Sequence, residues 1–482
     1  MKLDSPLMNR ILACLTLLFA VCATTGAKVK YPGPKVFAYR YYLCDKQGSS
    51  YSLDRPTRFL SHQSVERRRR QGLKVDSTDL PVPESVIKRF RVKGAKVLGT
   101  SRWNNTILVS SADTALLNRL SQQTCVKEAR MVFASPDSID ELSNRPYANY
   151  RDHYNRWDSL RGDPLGMARV QMEMVGGDLL YEKNLRGNGM TIAILDGGFL
   201  NANRLSCFSH TDIKGTHDFI AIHKLRKHYA EEDFFSGIDH GTRVFSALAA
   251  ESEEVMMGTA PDAKFWLLKC EDPETEMPIE EDYWAMAVEF ADSVGVDVVN
   301  SSLGYNTYDA PFRSYELNDL DGKTALISRT ASMMARKGIV LCNSAGNSGM
   351  GTWKKITVPA DAFDILTIGA IDQKGRNAAF SSVGPTQDGR VKPDIVAMGN
   401  GTALISGRGM LVHDMGTSFS TPIVTGLVAC LWQGLRHKTA LEIIDMVRHS
   451  ASHYSTPNNI YGYGIPNFWE AYSGEKRKDK SK

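Results

Sequence analysis

The sequence predicts an α/β protein in two parts: a small α+β domain near the N-terminus, and a larger three-layer domain with a mostly parallel central sheet. Three observations lead to this prediction. Beyond residue 190, fully apolar strand patterns alternate with helical patterns, which is typical of a parallel sheet buried between helices. In the first 134 residues, strand and helix patterns alternate on a smaller scale. A polar stretch without periodicity separates the two parts.

The first residues have the features of a secretory signal. A basic start precedes the apolar run 11–21, and Ala23 and Ala27 offer small residues for cleavage. We therefore assign residues 1–27 to a signal peptide and expect a secreted or periplasmic protein of the cell envelope. A lipid anchor on Cys22 is the less favoured alternative, because the residue before it is bulkier than usual. The apolar run is too short for a stable membrane span, and no later stretch is long enough.

Residues 28–134 are predicted to form the small α+β domain. The stretches 36–43 and 106–110 have the pattern of strands, whereas 58–71 and 112–122 have the pattern of helices. Two strands and two helices in about a hundred residues are enough for a compact unit with its own core.

The remaining chain divides into a polar linker at 135–165, the larger domain at 166–472, and a basic tail at 473–482 that we expect to be disordered. Strand patterns in the larger domain occur at 191–195, 264–268, 296–299, 339–341 and 365–368, with helical patterns at 283–293 and 325–336.

Charge is distributed unevenly along the chain. The net charge is +4, but residues 1–150 contain 24 Lys and Arg against 12 Asp and Glu, whereas the remainder contains 34 against 42. Opposite net charges indicate two units that attract one another rather than a protein that binds nucleic acid. The densest basic run, Arg67 to Arg70, is interpreted as the solvated face of a helix.

Cysteine usage does not define a disulfide pattern. Six cysteines follow the predicted signal peptide, and six cysteines allow about fifteen pairings. Cys342 and Cys430 lie in apolar runs and are expected to behave as small core residues.

Three polar residues lie at the ends of predicted elements, where catalytic groups gather on a parallel sheet. Asp196 ends the first apolar strand, His240 begins a helix, and Ser418 precedes the apolar helix 423–431, whose first turn is expected to include Pro422. A carboxylate, an imidazole and a hydroxyl are the components of acyl-transfer catalysis. The imidazole takes the proton of the serine, and the carboxylate holds the imidazole in the right tautomer.

A fourth component is Asn347, in a glycine-containing turn just past an apolar strand. Its side-chain amide can donate one hydrogen bond to an oxyanion, and the backbone N–H of Ser418 can donate another. Each residue alone has a simpler interpretation: a strand-end turn for Asp196, a helix N-cap for Ser418 and a turn for Asn347.

Taken together and in this order, the motifs resemble those of the subtilisin-like serine proteases (subtilases). The resemblance rests on Ile-Leu-Asp-Gly-Gly at 194–198, His-Gly-Thr at 240–242 and Gly-Thr-Ser-Phe-Ser-Thr-Pro at 416–422, and it covers about 171–468. It implies a subtilisin-like fold and a serine endopeptidase that hydrolyses protein or peptide substrates through an acyl-enzyme on Ser418.

The resemblance also implies roles for other segments. Two segments would bind the substrate backbone and enclose the first specificity pocket: Ser302, Leu303 and Gly304, and Ser344, Ala345 and Gly346. The N-terminal α+β domain is similar to the propeptides that inhibit these enzymes and assist their folding. The chain would therefore be a zymogen whose partner is its own propeptide, and removal of that domain would mature it.

Three residues depart from the pattern of the family. Gly197 stands where many relatives carry Ser or Thr, Arg243 replaces a smaller residue or an imidazole, and Phe419 follows the serine where Met or Ala is common. None of the three removes a catalytic group, but each changes the surroundings of one.

No metal site is assigned, and the chemistry implied by the resemblance requires no cofactor. A histidine-rich segment contains His210, His217, His223 and His228 with Asp233, but its spacing is irregular, so we interpret it as an exposed loop. Structural calcium occurs often in the family, yet no ligand run here is clear enough to locate it.

Two alternatives stay open at this point. A subtilase-like protein could bind peptides without cleaving them. The protein could also be a processing protease selective for basic sites, because the acidic run 271–282 could line a subsite. The simpler interpretation of that run is a solvated loop entering a helix.

Overall fold

The computed structural model describes residues 28–140, 162–225, 234–253 and 255–480. The predicted signal peptide, most of the predicted linker and two members of the histidine-rich segment, His228 and Asp233, lie outside these described residues. None of the helices in the described ranges combines enough length with enough apolar character to cross a membrane.

The N-terminal domain is an antiparallel four-stranded sheet with three helices, as the predicted α+β class requires. Its sheet has the order β3-β4-β2-β5. The strands of the domain are β1 (Lys28–Lys30), β2 (Phe37–Leu43), β3 (Ala95–Ser101), β4 (Thr106–Ser111), β5 (Val126–Ala134) and β6 (Ser138–Asp140). The helices are α1 (His62–Arg70), α2 (Glu84–Phe90) and α3 (Thr114–Ser121).

Ordered structure in this domain continues past the predicted boundary at residue 134. Strand β6 pairs antiparallel with β1, so that Ile139 lies opposite Val29. The beginning of the predicted linker therefore belongs to the N-terminal domain.

The two faces of the N-terminal sheet are both buried, against different partners. Tyr41, Ile107 and Val109 pack with the helices of the same domain. The neighbouring residues Ala38 and Leu108 point to the other face and join a cluster that includes the larger domain. Alternate residues of a strand face opposite sides. The apolar strands of this domain therefore contribute to two cores, one within the domain and one shared with the larger domain.

The larger domain is built on an eight-stranded sheet with the order β16-β15-β14-β13-β12-β7-β11-β8. All neighbouring pairs are parallel except β15 and β16. The strands are β7 (Thr191–Asp196), β8 (Asp212–Asp218), β11 (Lys264–Lys269), β12 (Val298–Ser301), β13 (Val340–Ser344), β14 (Leu366–Asp372), β15 (Ile395–Ile405) and β16 (Leu411–Met415). A separate hairpin pairs β9 (Glu251–Ser252) with β10 (Met256–Met257).

Helices cover both faces of this sheet and form the predicted three layers. They are α4 (Arg169–Glu173), α5 (Gly177–Tyr181), α6 (His240–Ala249), α7 (Ile279–Val294), α8 (Leu326–Met333), α9 (Thr417–Gly434), α10 (Ala440–His449) and α11 (Phe468–Lys480). Ile192 and Ile194 of β7 pack with α6 and α9, whereas Ala193 and Leu195 pack with α7 and α8.

The five strands predicted for the larger domain are present with slightly different bounds, and five further strands, β8, β9, β10, β15 and β16, were not predicted. Strand β8 is polar because it is the edge of the sheet and none of its residues is buried. Cys342 and Cys430 are fully buried free thiols, which confirms their prediction as core residues.

Two predictions about basic segments are wrong. The tail predicted to be disordered is helical to Lys480 in α11, which is held by the buried Phe468 and by an ion pair between Lys438 and Glu475 at 2.6 Å. The run Arg67 to Arg70 is not uniformly solvated. Arg67 and Arg68 are 1% exposed, because both side chains reach carboxylates across the domain boundary.

Candidate active site

The three proposed catalytic residues lie at the ends of three elements that meet at one edge of the sheet. Asp196 is the last residue of β7, which lies between β12 and β11. His240 is the first residue of α6, and Ser418 is the second residue of α9. The carboxyl ends of parallel strands form a common edge, so residues from distant parts of the sequence converge there.

Asp196 and His240 form a buried pair. Nδ1 of His240 lies 2.9 Å from Oδ2 and 3.0 Å from Oδ1 of Asp196, which is fully buried and also accepts a hydrogen bond from the N–H of Gly197. A Cβ at Gly241 would lie 2.5 Å from the carbonyl oxygen of Gly198, so glycine is required there for the helix to approach the strand.

The electrostatic surroundings favour the charged form of His240. Burial alone would lower the pKa of His240. The negative charges of Asp196, Glu271 and Asp414 have the opposite effect and together raise this pKa to about 9.

Ser418 exchanges two hydrogen bonds with Ser302. Its Oγ donates to the carbonyl of Ser302 at 3.3 Å, and its own carbonyl accepts from Oγ of Ser302 at 2.9 Å. The second bond has a specific cause. Pro422 is the sixth residue of α9 rather than part of its first turn as predicted, so the carbonyl four residues earlier receives no backbone donor. Oγ of Ser302 satisfies that carbonyl.

The side-chain amide of Asn347 is held in one orientation by Thr417. Its Oδ1 accepts from the N–H of Thr417 at 2.9 Å and from Oγ1 of the same residue at 3.0 Å. With the oxygen fixed in this way, Nδ2 lies beside Gly416, 3.7 Å from the position that a Cβ would take there. Nδ2 is therefore available to donate to a ligand.

Asn347, His240 and Ser418 open on the same cavity, which has a volume of about 120 Å³. The cavity is lined by Asp239, His240, Arg243, Asn347, Asp414, Met415, Gly416, Ser418 and Phe419. A hydroxyl, an imidazole paired with a buried carboxylate and a fixed amide donor around one space are the groups that acyl transfer needs.

Comparison with known proteins identifies the family. The model of the Subtilase family (Peptidase S8) matches residues 187–464, well over half of the chain. The protein is a subtilase. It is thus a serine peptidase that acts on protein substrates, and a second model, the Peptidase S8 propeptide domain of Bacteroidota, matches residues 38–148. The N-terminal domain is therefore a propeptide domain of this family.

The similar curated proteins include alkaline proteases and subtilisins. The chain is 25% identical over 335 residues to the alkaline protease of Alkalihalobacillus alcalophilus, covering 69% of this chain and 76% of that one. It is 26% identical over 305 residues to Subtilisin Savinase of Lederbergia lenta, covering 63% and 96%. Among solved structures, the MycP3 protease from the type VII (ESX-3) secretion system has a TM-score of 0.50 at 19% identity, covering 65% and 90%. This likeness confirms the fold.

The segments predicted to bind substrate in this subtilase follow the neighbouring strands β12 and β13. The side chains of Leu303 and Ala345 belong to the apolar core, and the carbonyl of Leu303 accepts from Nδ2 of Asn343 at 3.3 Å. Gly304 is half-buried. Gly346 is half-buried as well, and the two segments lie side by side.

Two of the departures from the subtilase pattern are accommodated locally. Arg243 is nearly buried, but its guanidinium contacts Asp239 at 3.0 Å and Asp414 at 3.3 Å, so two carboxylates balance the added charge. The ring of Phe419 lies 5.6 Å from the ring of His240. Phe419 thus narrows the cavity on the side of the imidazole.

The third departure, Gly197, makes room for a residue that the sequence analysis did not single out. A Cβ at Gly197 would lie 3.0 Å from Oε2 of Glu271. Burial and the nearby Asp196 carboxylate raise the pKa of Glu271 to about 7. Glu271 follows β11, and Asp196 ends β7, the strand that pairs with it. Its position just after a predicted apolar strand is the sequence feature by which Glu271 could have been recognised as a site residue.

Three further residues of the acidic run lie in a helix rather than in a solvated loop. Glu280, Glu281 and Asp282 are buried at the beginning of α7. Glu281, for example, accepts from the hydroxyls of Tyr308 at 3.0 Å and Tyr315 at 2.7 Å. The simpler interpretation of this run is therefore wrong for these residues, which have structural partners.

His210 lies in an exposed turn, as predicted for the histidine-rich segment, whereas His217 is exposed but belongs to a strand and His223 is half-buried. His217 lies in β8, and its ring lies 4.4 Å from that of Phe219. Nε2 of His223 lies 3.0 Å from Oδ1 of Asp272. Ligand atoms of His223, Asp272 and Glu274 all lie within 4.8 Å of one another, so these are the described residues best placed to hold a metal ion.

Proposed function

We propose that this subtilase is a serine endopeptidase that cleaves peptide bonds through an acyl-enzyme on Ser418, with His240 as general base and acid and Asp196 orienting the imidazole. The observation that supports this proposal best is the shared cavity. It brings the buried Asp196–His240 pair, the hydroxyl of Ser418 and the fixed amide of Asn347 to one space.

The proposed reaction begins when Nε2 of His240 takes the proton of Ser418 Oγ, which attacks the substrate carbonyl carbon. The developing oxyanion accepts from Nδ2 of Asn347 and from the N–H of Ser418. His240 then donates its proton to the leaving amine as the C–N bond breaks, which leaves the acyl group on Ser418 Oγ. A water molecule next gives a proton to His240 and attacks the acyl carbon, and the bond to Ser418 Oγ breaks as Oγ takes that proton back. This chemistry requires no cofactor.

Substrate binding is proposed to use the segments beside the cavity. An extended substrate adds as a strand next to Ser302–Gly304 and faces Ser344–Gly346. Gly304 and Gly346 are the half-buried positions of the two segments, whereas the other four residues are buried.

Export and maturation are also part of the proposal. Residues 1–27 act as a signal peptide that directs the protein to the periplasm or the outside of the cell, and the protein cleaves itself between its two domains, within 135–165. The match of residues 38–148 to a propeptide domain and the basic start of the sequence support this part.

The test compares the full-length protein with Ser418→Ala, and follows both over time by intact-mass spectrometry. We expect the wild type to shorten to a species that begins between residues 135 and 165, while the variant stays whole. The wild type should also react with a serine-directed phosphonate, and the variant should not.

Other outcomes separate the alternatives. If neither protein shortens and neither reacts with the phosphonate, the chain is a peptide-binding subtilase without activity. If both shorten alike, a different protease cuts the chain, and labelling of Ser418 alone decides whether it is the nucleophile.

A second candidate function is processing at basic sites, and Glu271 is the observation that favours it. Its carboxylate lies near Gly197, at the edge of the sheet where β7 and β11 end, and its negative charge helps to raise the pKa of His240. A peptide library cleaved by the wild type and by Glu271→Gln tests this idea. We expect a preference for Lys or Arg in the wild type that the variant loses, whereas an unselective wild type would exclude it.

A further inference from the structure

We infer that Cys44 and Cys125 are a disulfide-forming pair, and that their bond ties the edge strand β5 of the N-terminal domain to its neighbour β2. In the cell this step rests on the export that the proposed function includes, because an oxidising compartment supplies the disulfides that accept the electrons. The geometry that favours the pair depends neither on export nor on catalytic activity.

The two cysteines lie opposite one another where the pairing of β2 with β5 ends. Leu43, the last residue of β2, pairs with Val126, the first residue of β5. One residue further out, the N–H of Cys44 donates to the carbonyl of Cys125 at 3.0 Å. Opposite residues of antiparallel strands have Cα atoms roughly 4.5–5.5 Å apart, and a disulfide joins Cα atoms roughly 4.4–6.8 Å apart. The pairing of the strands therefore sets the backbone spacing that the bond requires.

The side chain of Cys44 extends toward the turn that contains Cys125. Its Sγ lies 3.7 Å from the carbonyl oxygen of Thr124, the residue that precedes Cys125, across 80 positions of the sequence. Sγ of Cys125 lies 3.7 Å from Oε1 of Gln123. Sulfur is a weak hydrogen-bond donor, so rotation of the Cys125 side chain toward Cys44 gives up little. The bond thus requires a change of side-chain rotamer and no rearrangement of the backbone.

Accessibility separates this pair from the other cysteines after the predicted signal peptide. Cys44 is exposed and Cys125 is half-buried, so an external disulfide can reach them. The remaining four are at most 7% exposed: Cys207, Cys270, Cys342 and Cys430. Burial raises the pKa of the Cys207 and Cys342 thiols to about 12, and the thiolate is the form that exchanges with disulfides. We therefore expect the four buried cysteines to stay reduced.

The step is a two-electron oxidation by thiol–disulfide exchange. The thiolate of Cys44, the more exposed of the two, attacks one sulfur of an external disulfide such as that of glutathione, which forms a mixed disulfide and releases one thiolate. The thiolate of Cys125 then attacks Sγ of Cys44, which forms the internal bond and releases the second thiolate. The external disulfide is thereby reduced to two thiols, which take up the two protons that the cysteines lose.

The bond would hold the part of β5 that has the least burial. Strand β5 is at the edge of its sheet, and of its nine residues only Val132 and Phe133 are buried. The residues before them are half-buried or exposed and pair with β2. A bond at Cys125 closes a loop that contains all three helices of the domain, and a crosslink across a long loop removes much freedom from the unfolded chain. We expect it to keep this end of β5 paired.

The test detects the bond directly and requires no catalysis. The full-length Ser418→Ala variant is equilibrated in buffers of reduced and oxidised glutathione, the remaining thiols are alkylated in denaturant, and the digested protein is mapped by mass spectrometry. We expect the oxidised sample to contain one linked pair of peptides, those of Cys44 and Cys125, with the four buried cysteines alkylated. Alkylation of both cysteines in every buffer, linkage of either to another cysteine, or a link between two copies of the chain would overturn the inference.

The result is independent of the proposed function. The linked pair forms or fails to form whether or not Ser418 is a nucleophile, because the glutathione buffer replaces the compartment and the variant lacks the hydroxyl. A linked pair together with an inactive wild type contradicts the proposed function alone. An unlinked pair together with an active wild type contradicts this inference alone.

Three cysteine variants provide matched controls. Cys44→Ser and Cys125→Ser each remove one partner, whereas Cys207→Ala removes a buried thiol of the larger domain. In non-reducing electrophoresis we expect the oxidised form to migrate faster than the reduced form in the parent and in Cys207→Ala. We expect both serine variants to lose this difference. A difference that persists in Cys44→Ser would assign the bond to other cysteines.

Hydrogen exchange tests the structural consequence of the bond. Peptides that cover 126–131 of β5 are compared between the oxidised and the reduced protein, with the fully buried strand β4 as the reference. We expect exchange at 126–131 to become about tenfold faster on reduction, while exchange in β4 stays the same. Equal rates at 126–131 in the two forms would contradict the role of the bond in holding β5 to β2.

Discussion

The structure assigns Thr417 a supporting role that can be measured. Its hydroxyl donates to Oδ1 of Asn347 at 3.0 Å and accepts from the N–H of Gly346 at 3.2 Å. Thr417→Val keeps the shape of the side chain and removes both bonds, while the backbone N–H of Thr417 still holds Oδ1 at 2.9 Å. The Asn347 amide is then held by one donor instead of two.

The size of the effect follows from the value of one hydrogen bond. A hydrogen bond of this kind is worth about 1 kcal/mol, which corresponds to roughly a fivefold change in rate. We expect Thr417→Val to lower kcat about five- to tenfold with little change in KM, and Thr417→Ser to restore most of it. Asn347→Ala should lower kcat by about 10²- to 10³-fold, a magnitude borrowed from subtilisin, a relative of this protein.

A double-mutant cycle tests whether Thr417 acts through Asn347. The assay measures kcat and KM for a chromogenic peptide, and thermal unfolding shows that each variant is folded. In the Asn347→Ala background, Thr417→Val should have almost no further effect, because the group it positions is already absent. If Thr417→Val lowers kcat by the same factor with and without Asn347, our explanation is wrong.

Three further predictions concern pH and stability. Because the pKa of His240 is raised to about 9, and the base must be neutral to accept a proton, kcat/KM should rise about tenfold per pH unit from pH 7 to 8 and level off above 9; a half-maximum near pH 7 would contradict this. Ser302→Ala should lower the free energy of unfolding by about 1–3 kcal/mol, measured in urea, because the Ser418 carbonyl loses its donor. Asp394→Asn should lower it by about 3–5 kcal/mol, because Arg448 at 2.7 Å is left without its buried carboxylate; a loss below 1 kcal/mol in either variant would refute that assignment. Burial alone would raise the pKa of Asp394, but the charges of Arg448 and Lys392 lower it in the folded protein. The contribution of Asp394 to the free energy of unfolding is therefore fully present above the pKa that it has in the unfolded chain. It should disappear as the pH falls through its pKa in the folded protein.

The parts of the fold with a strong local pattern were predictable from the sequence. The apolar strand at 191–195 could hardly be anything but a central strand, and the residues that end or follow such strands indicated where the site would be. The motifs around Asp196, His240 and Ser418, and their order in the chain, then indicated the family. Such motifs can be recognised without knowing how the side chains pack.

The features that were missed depend on contacts between distant segments. Nothing within the run of four arginines distinguishes Arg67 from Arg69, because the difference is a carboxylate more than two hundred residues away. Glu271 was read as part of an acidic run, since only the pairing of β11 with β7 places it beside Asp196. The local sequence places Pro422 in a first helical turn. Its actual position further inside α9 is possible because Ser302, a residue distant in sequence, donates to the carbonyl of Ser418.

The end of α1 also bears on the order in which the chain assembles. Arg67 and Gln71 contact the carbonyls of Val296, Lys337 and Gly338, together with the N–H of Ala440. A parallel sheet requires contacts between segments that are far apart in the chain, and closing such loops is slow. The N-terminal domain is made first and presents one rigid surface to each of these segments as it emerges. Renaturation of the larger domain alone should therefore be much slower than that of the intact chain.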